Sequence, residues 1–150
     1  MIYKSTKHYG HNIGLSAVFR QPNAVHSHCR FLHGYSLAFT FTFACKELDS
    51  RNWAVDFGGL RPLKAWLEDM FDHTLLVADD DPHRDKLLEL GKLGIAKCTE
   101  VERTGCEGLA TWLYEYINTI FLPDYGKEEA KRIWCCKVEV RETDYNMAMK

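Results

Sequence analysis

Cys29 stands four residues before His33, and His26 and His28 crowd it from the N-terminal side. One thiol and three imidazoles within eight residues form the densest grouping of soft metal ligands and proton carriers in the chain. A thiol becomes a useful nucleophile or acid–base group when a neighbouring cation or metal lowers its pKa. A buried, inert cysteine is the competing reading. His33 and Tyr35, separated by Gly34, share one face of an entering strand. That spacing suits two metal ligands, although tyrosine is a rare ligand for zinc.

Three further places carry acids or acid–base groups. Asp72-His73 pairs a carboxylate with an imidazole at the end of an expected helix. It reads as an oriented proton-transfer pair or as a histidine stabilised by the helix dipole. Glu107 falls in the first turn of another expected helix, where the dipole alone favours an acid. Glu142 continues the apolar parity of the last strand, so it sits at a solvated strand end or faces a ligand.

The elements that must position these groups follow from periodicity. Residues 35–45 alternate Leu37, Phe39, Phe41 and Phe43 with Ser36, Ala38, Thr40 and Thr42, a strand with one face needing a cover. Residues 13–20 predict a first strand, broken by Gln21-Pro22-Asn23 before a loop that holds the histidines and Cys29. A short strand is expected over 53–57 and helices over 60–71 and 106–121, from apolar stripes at helical spacing. Residues 83–90 predict a short helix after the solvated acid run Asp79-Asp80-Asp81, and 127–131 a further helical turn. A last strand covers 133–141, with Trp134, Cys136, Val138 and Val140 sharing a face. The result is α+β: an antiparallel sheet with two helices packed on one face. Free edges at the first and last strands point to a sheet that continues into a neighbour.

Composition bounds the function. The 150 residues make one domain, and 46% hydrophobic content argues for a packed core. A net charge of -2 gives no electrostatic footprint for nucleic acid or an anionic membrane. The N-terminal residues lack the apolar core of a signal peptide, and no run is long enough to span a membrane. Six cysteines without a C-x-x-C pair read as reduced thiols of a cytoplasmic protein.

Taken in order, these pieces resemble the family of 6-pyruvoyltetrahydropterin and 6-carboxytetrahydropterin synthases. The resemblance runs from about residue 14 to 143, with an insert around 79–103 in a single domain. It rests on Ser16-Ala17-Val18-Phe19, Cys29-x-x-x-His33-Gly34-Tyr35, Asp56-Phe57, Asp72-His73, Thr104-Gly105-Cys106-Glu107 and Glu142-Thr143. The family carries at these places Ala-Ala-His, Cys-x-x-x-His-Gly-His, Asp-Phe, Asp-His, Pro-Thr-x-Glu and Glu-Thr.

The resemblance implies the T-fold, with subunits assembling into a barrel as a trimer or hexamer and active sites between subunits. It implies a lyase acting on dihydroneopterin triphosphate, eliminating triphosphate and rearranging the side chain. Cys29 would move protons on that side chain, with Asp72 and His73 as the second proton-transfer pair. Glu142 would anchor the guanidine-like edge of the pterin, and Glu107 would also bind substrate. The C-x-x-x-H spacing looks like the 6-carboxytetrahydropterin branch, which leads towards queuosine-type deazapurines.

The family's zinc is where the chain departs. Its three histidine positions read here Phe19, His33 and Tyr35. Either zinc is lost or the site is rebuilt on His33 and His28, with His26 and Tyr35 as alternates. The rival expectation is therefore a non-catalytic T-fold protein that binds a pterin or purine.

Overall fold

The computed structural model describes residues 1–150. Its backbone is one sheet in the order β5-β4-β2-β3-β6-β7, with β1 also paired to β3. The strands are β1 (Tyr3–Tyr9), β2 (Leu15–Phe19), β3 (His33–Cys45), β4 (Thr74–Ala78), β5 (Lys97–Val101), β6 (Ile133–Arg141) and β7 (Met147–Met149). The helices are α1 (Arg61–Phe71), α2 (Arg84–Lys92), α3 (Cys106–Tyr116), α4 (Leu122–Tyr125) and α5 (Lys127–Arg132). None is long and apolar enough to cross a membrane.

β3 is the spine. Leu37, Phe39, Phe41 and Phe43 are fully buried on its covered face, as their alternation predicts. Each such side chain contributes about 1.5–3 kcal/mol of burial free energy. One edge of β3 serves two partners: β2 pairs with its first half, from Phe19↔His33 to Leu15↔Leu37, and β1 with its second half, from Tyr9↔Phe39 to Tyr3↔Cys45. Gly14, at φ +79°, makes the left-handed turn that feeds β2. α1 packs on β2 and β4, and α3 on β6 and β7. Leu63, Leu67 and Phe71 of α1 and Leu109 and Leu113 of α3 close the core.

The α+β class and the two covering helices agree with expectation, but the sheet is mixed rather than antiparallel, and the two strands expected at its free edges lie inside it, β2 between β4 and β3 and β6 between β3 and β7. β4 runs parallel to both β2 and β5. All five residues of β4 are buried, so it has no polar alternation to reveal it in the sequence. Residues 53–57 form no strand; they are turns that bury Ala54 and Val55. The strand β1 escaped the pattern because only Tyr9 of its seven residues is buried.

The face assignment of the last strand is also corrected. A bulge in β6 pairs Thr42 with Lys137 and Phe43 with Cys135, leaving Cys136 as the extra residue. Val138 and Val140 therefore share the core face with Ile133 and Cys135, not with Trp134 and Cys136. The 106–121 helix likewise changes character, passing from α3 into a π-turn at Ile117–Phe121. There Asn118 donates to the Tyr114 and Cys135 carbonyls and accepts from the Cys135 amide, fastening the helix to β6.

Candidate active site

The β2–β3 register builds the floor of the site. Phe19 lies opposite His33, and Ala17 opposite Tyr35. The three rings pack together, with centroids 5.4 Å apart for Phe19–His33, 5.9 Å for Phe19–Tyr35 and 5.2 Å for His33–Tyr35. Phe19 is fully buried. His33 Nδ1 lies 2.7 Å from the Phe31 carbonyl oxygen, which can only accept. The proton therefore sits on Nδ1, and in the neutral ring Nε2 keeps its lone pair. That Nε2 is buried and has no partner.

Glu142 and Cys106 bring charge and a thiol to these rings. Burial pushes the Glu142 carboxyl above its ordinary range, opposed by His33 and the Cys106 thiol and assisted by Glu107. Burial, with Glu142 and Glu107 nearby, pushes the Cys106 thiol up to about 12. Burial first, then Glu142, Cys29 and Cys106, raise the Tyr35 phenol. His33, Tyr35, Cys106 and Glu142 thus form one electrostatically coupled group, with Cys29 and Glu107 at its margin. Tyr35 and Cys106 stay neutral at pH 7, so a charged Glu142 is a strong acceptor for a donor-rich ligand edge.

Cys29 is half-buried in a single 3-10 turn, His28–Arg30. Ser27 Oγ accepts from its amide at 3.1 Å, and its carbonyl accepts from the Gln21 amide at 2.8 Å. His26 and His28 are exposed. His28 stands beside Phe31, with ring centroids 6.1 Å apart, and neither imidazole joins His33 in a ligand cluster. Glu107 is exposed in the first turn of α3. It lines a cleft of about 430 Å³ with Gln21, Arg103, Thr104 and Trp112.

Asp72 and His73 form a second centre. The His73 ring nitrogen Nδ1 lies 2.9 Å from Asp72 Oδ1, and the Ser16 amide donates to the same oxygen at 3.3 Å. Burial alone would raise the Asp72 carboxyl, but the bonds from His73 and Ser16 hold it below its ordinary range. His73 has φ +52°, and its side chain is 87% exposed. The left-handed conformation ends α1 just after its C-cap Asp72, and it leaves the imidazole held out in solvent. Neither residue bonds to Cys29 within the chain.

The residues at the three positions that the family resemblance assigns to a metal do not fit zinc. An open catalytic zinc site takes about three protein donors. Here one of the three positions is a phenyl ring and another a phenol, outside the usual Cys, His, Asp and Glu ligands of zinc. No group of three His, Cys, Asp or Glu side chains is placed to hold a metal ion.

Sequence reading did not single out Cys106 as a neighbour of Glu142, because a cysteine opening an apolar helix looks like core. It also missed the pairing of Arg20 with Asp81, 61 positions apart. A cavity of about 410 Å³ lined by Tyr3, Trp53 and Phe57 together with Lys4, Asn52 and Asp56 contains none of the expected site residues.

A model of the family described as 6-pyruvoyl tetrahydropterin synthase matches residues 6–149. Among curated proteins, a 6-carboxy-5,6,7,8-tetrahydropterin synthase of Rickettsia typhi is 36% identical over 62 residues, covering 41% of this chain and 45% of that protein. The aligned stretch thus spans less than half of the relative's length. Among solved structures, an uncharacterized protein from Wolinella succinogenes superposes with a TM-score of 0.75 at 20% identity, covering 100% of this chain and 98% of the other. A 6-pyruvoyltetrahydropterin synthase of Plasmodium vivax superposes with a TM-score of 0.69 at 10% identity, covering 100% and 97%. The structural likeness carries the fold, and the family match spans nearly the whole sequence: the chain belongs to the 6-pyruvoyl tetrahydropterin synthase family.

Proposed function

We propose that this protein is a tetrahydropterin synthase of the carbon–oxygen lyase type, acting on dihydroneopterin triphosphate. The observation that carries the reading is the half-buried Glu142 beside His33, Tyr35 and Cys106, with Cys29 at the margin of the same group. Glu142 accepts from the guanidine-like edge of the pterin, and Glu107 binds substrate from the adjoining cleft. Cys29 takes a proton from the substrate side chain. The electron pair left on carbon forms the new double bond as the carbon–oxygen bond to triphosphate breaks. Asp72-His73 handles the second proton transfer during rearrangement. The name of the Rickettsia typhi relative favours the 6-carboxytetrahydropterin branch over the 6-pyruvoyl one.

The reading places the protein in the cytoplasm as a homo-oligomer, trimer or hexamer, with active sites between subunits. The exposed His73, unbonded to Cys29 of its own chain, supports a pair that serves a neighbouring copy's site. One observation favours a second reading. The aromatic trio Phe19, His33 and Tyr35 lacks a metal donor set, which suits a non-catalytic pterin- or purine-binding protein.

Triphosphate release from dihydroneopterin triphosphate by the wild type and Cys29→Ala separates the two. Release that disappears in Cys29→Ala supports the enzyme. Pterin binding that depends on Glu142 without any release establishes the binding protein instead.

A further inference from the structure

We infer that Asp81, acting through Arg20, is a positioning residue that fixes the Cys29 turn against the body of the fold; this rests on the reading of Cys29 as the proton-transfer thiol. Arg20 follows the last residue of β2. Its Nε and one Nη donate to the two carboxylate oxygens of Asp81 at 2.7 and 3.1 Å. Its other Nη donates to the Arg30 carbonyl at 3.0 Å. Gln21, next in the chain, donates its amide to the Cys29 carbonyl at 2.8 Å. Two consecutive carbonyls of the turn, those of Cys29 and Arg30, are thus held from the end of β2.

The guanidinium can serve the turn only if its plane is fixed, and Asp81 fixes it. A two-pronged carboxylate contact sets both the position and the tilt of an arginine, which a single contact cannot do. The Asp81 side chain is 1% exposed and that of Arg20 21%. Asp81 also accepts from the His83 amide at 2.8 Å, and the Thr104 hydroxyl donates to the Arg20 carbonyl at 2.6 Å. Burial resists the charge on Asp81, but Arg20 and the His83 amide overcome it and keep the carboxyl below its ordinary range. Asp79 and Asp80 are exposed, so the solvated cap expected of the acid run holds for those two and not for Asp81. The Arg30 guanidinium also braces this region, but its bonds to the Val25 and Ser27 carbonyls stay within the loop. Asn23 Nδ2 also ties the loop to the segment between β4 and α2, donating to Asp80 at 3.0 Å, but Arg20–Asp81 is the link that also holds a carbonyl of the Cys29 turn.

Iodoacetamide labelling of the folded protein, read by mass spectrometry at each cysteine, tests this without reference to any substrate. Cys136, half-buried in β6, is the internal control. In Asp81→Asn, Cys29 labelling rises several-fold while Cys136 keeps its wild-type rate, and Asp81→Glu restores part of the protection. Should Asp81→Asn not fold, Arg20→Lys carries the same test, since lysine keeps the charge pair but cannot hold Asp81 and the Arg30 carbonyl in one plane. In turnover assays the same variants lower kcat about 10²-fold with KM little changed, as expected for a misplaced catalytic group. Unchanged Cys29 labelling in the folded variants overturns the inference, and so does a parallel rise at Cys136, which would mark general loosening. Turnover that survives in Cys29→Ala overturns the underlying reading of the thiol and leaves the labelling result standing, so the two failures are distinguishable.

Discussion

Phe19 faces His33 directly across the β2–β3 ladder, with the two rings 5.4 Å apart. The position where the family resemblance leads one to expect a metal-binding imidazole holds a buried hydrocarbon ring. The consequence is a site organised by an aromatic floor and one desolvated carboxylate.

Restoring the donors should restore metal binding. The double substitution Phe19→His with Tyr35→His gives three imidazoles on adjacent positions of β2 and β3. It is expected to retain about one zinc per chain after dialysis, whereas the wild type retains none in stoichiometric amount. Elemental analysis of both proteins checks this. Stoichiometric zinc in the wild type would contradict the donor-set argument.

Glu142 is held at a cost to stability. Its carboxyl is raised above the ordinary range, so folding disfavours its charged form. The penalty is complete above the raised value and vanishes as the pH falls below the ordinary glutamate range. Glu142→Gln should therefore unfold at a higher temperature than the wild type at neutral pH, with the gap closing in acid. The same variant should lose pterin affinity, because an amide presents one acceptor oxygen and a donating NH2 where the carboxylate presents two acceptor oxygens to the ring edge. Thermal unfolding across pH, paired with a binding isotherm, tests both halves.

Asp72 orients His73, and its carboxyl is held below the ordinary range. Stability from this pair is present above the ordinary aspartate range and is lost as the pH falls through the lowered value. Asp72→Asn keeps the shape but removes the charge that fixes the imidazole. Formation of the rearranged tetrahydropterin product should fall by about 10²–10⁴ with folding intact, the range for losing an acid–base partner. A circular dichroism spectrum beside the rate measurement separates chemistry from unfolding.

The covered face of β3 sets the stability of the whole frame. Phe41 is fully buried and packs edge-on to Tyr9, with centroids 6.0 Å apart. Phe41→Ala should cost about 3–5 kcal/mol in urea unfolding.

How much of this was readable in the sequence follows from what leaves a pattern. The alternation of Leu37, Phe39, Phe41 and Phe43 and the stripes of α1 and α3 are imposed by a one-sided core, so they stand out. β4 is buried on both faces, and β1 is mostly exposed, so neither shows a period. The bulge at Cys136 shifts the face of half of β6, and no single-strand parity can anticipate an inserted residue. At the site, the order of Cys29, Asp72-His73, Glu107 and Glu142 was legible as a family pattern. Cys106 beside Glu142 and Asp81 beneath Arg20 were not, because each is a long-range contact between residue types with commoner roles at those positions.

The proton-transfer role of Cys29 is tested most directly by deuterium uptake. Dihydroneopterin triphosphate is incubated with the protein in D₂O containing a metal chelator, and the side-chain carbons are followed by NMR. Deuterium appearing on the side chain with the wild type, absent with Cys29→Ala, is the predicted result. No uptake with the wild type, or equal uptake with Cys29→Ala, would contradict the account.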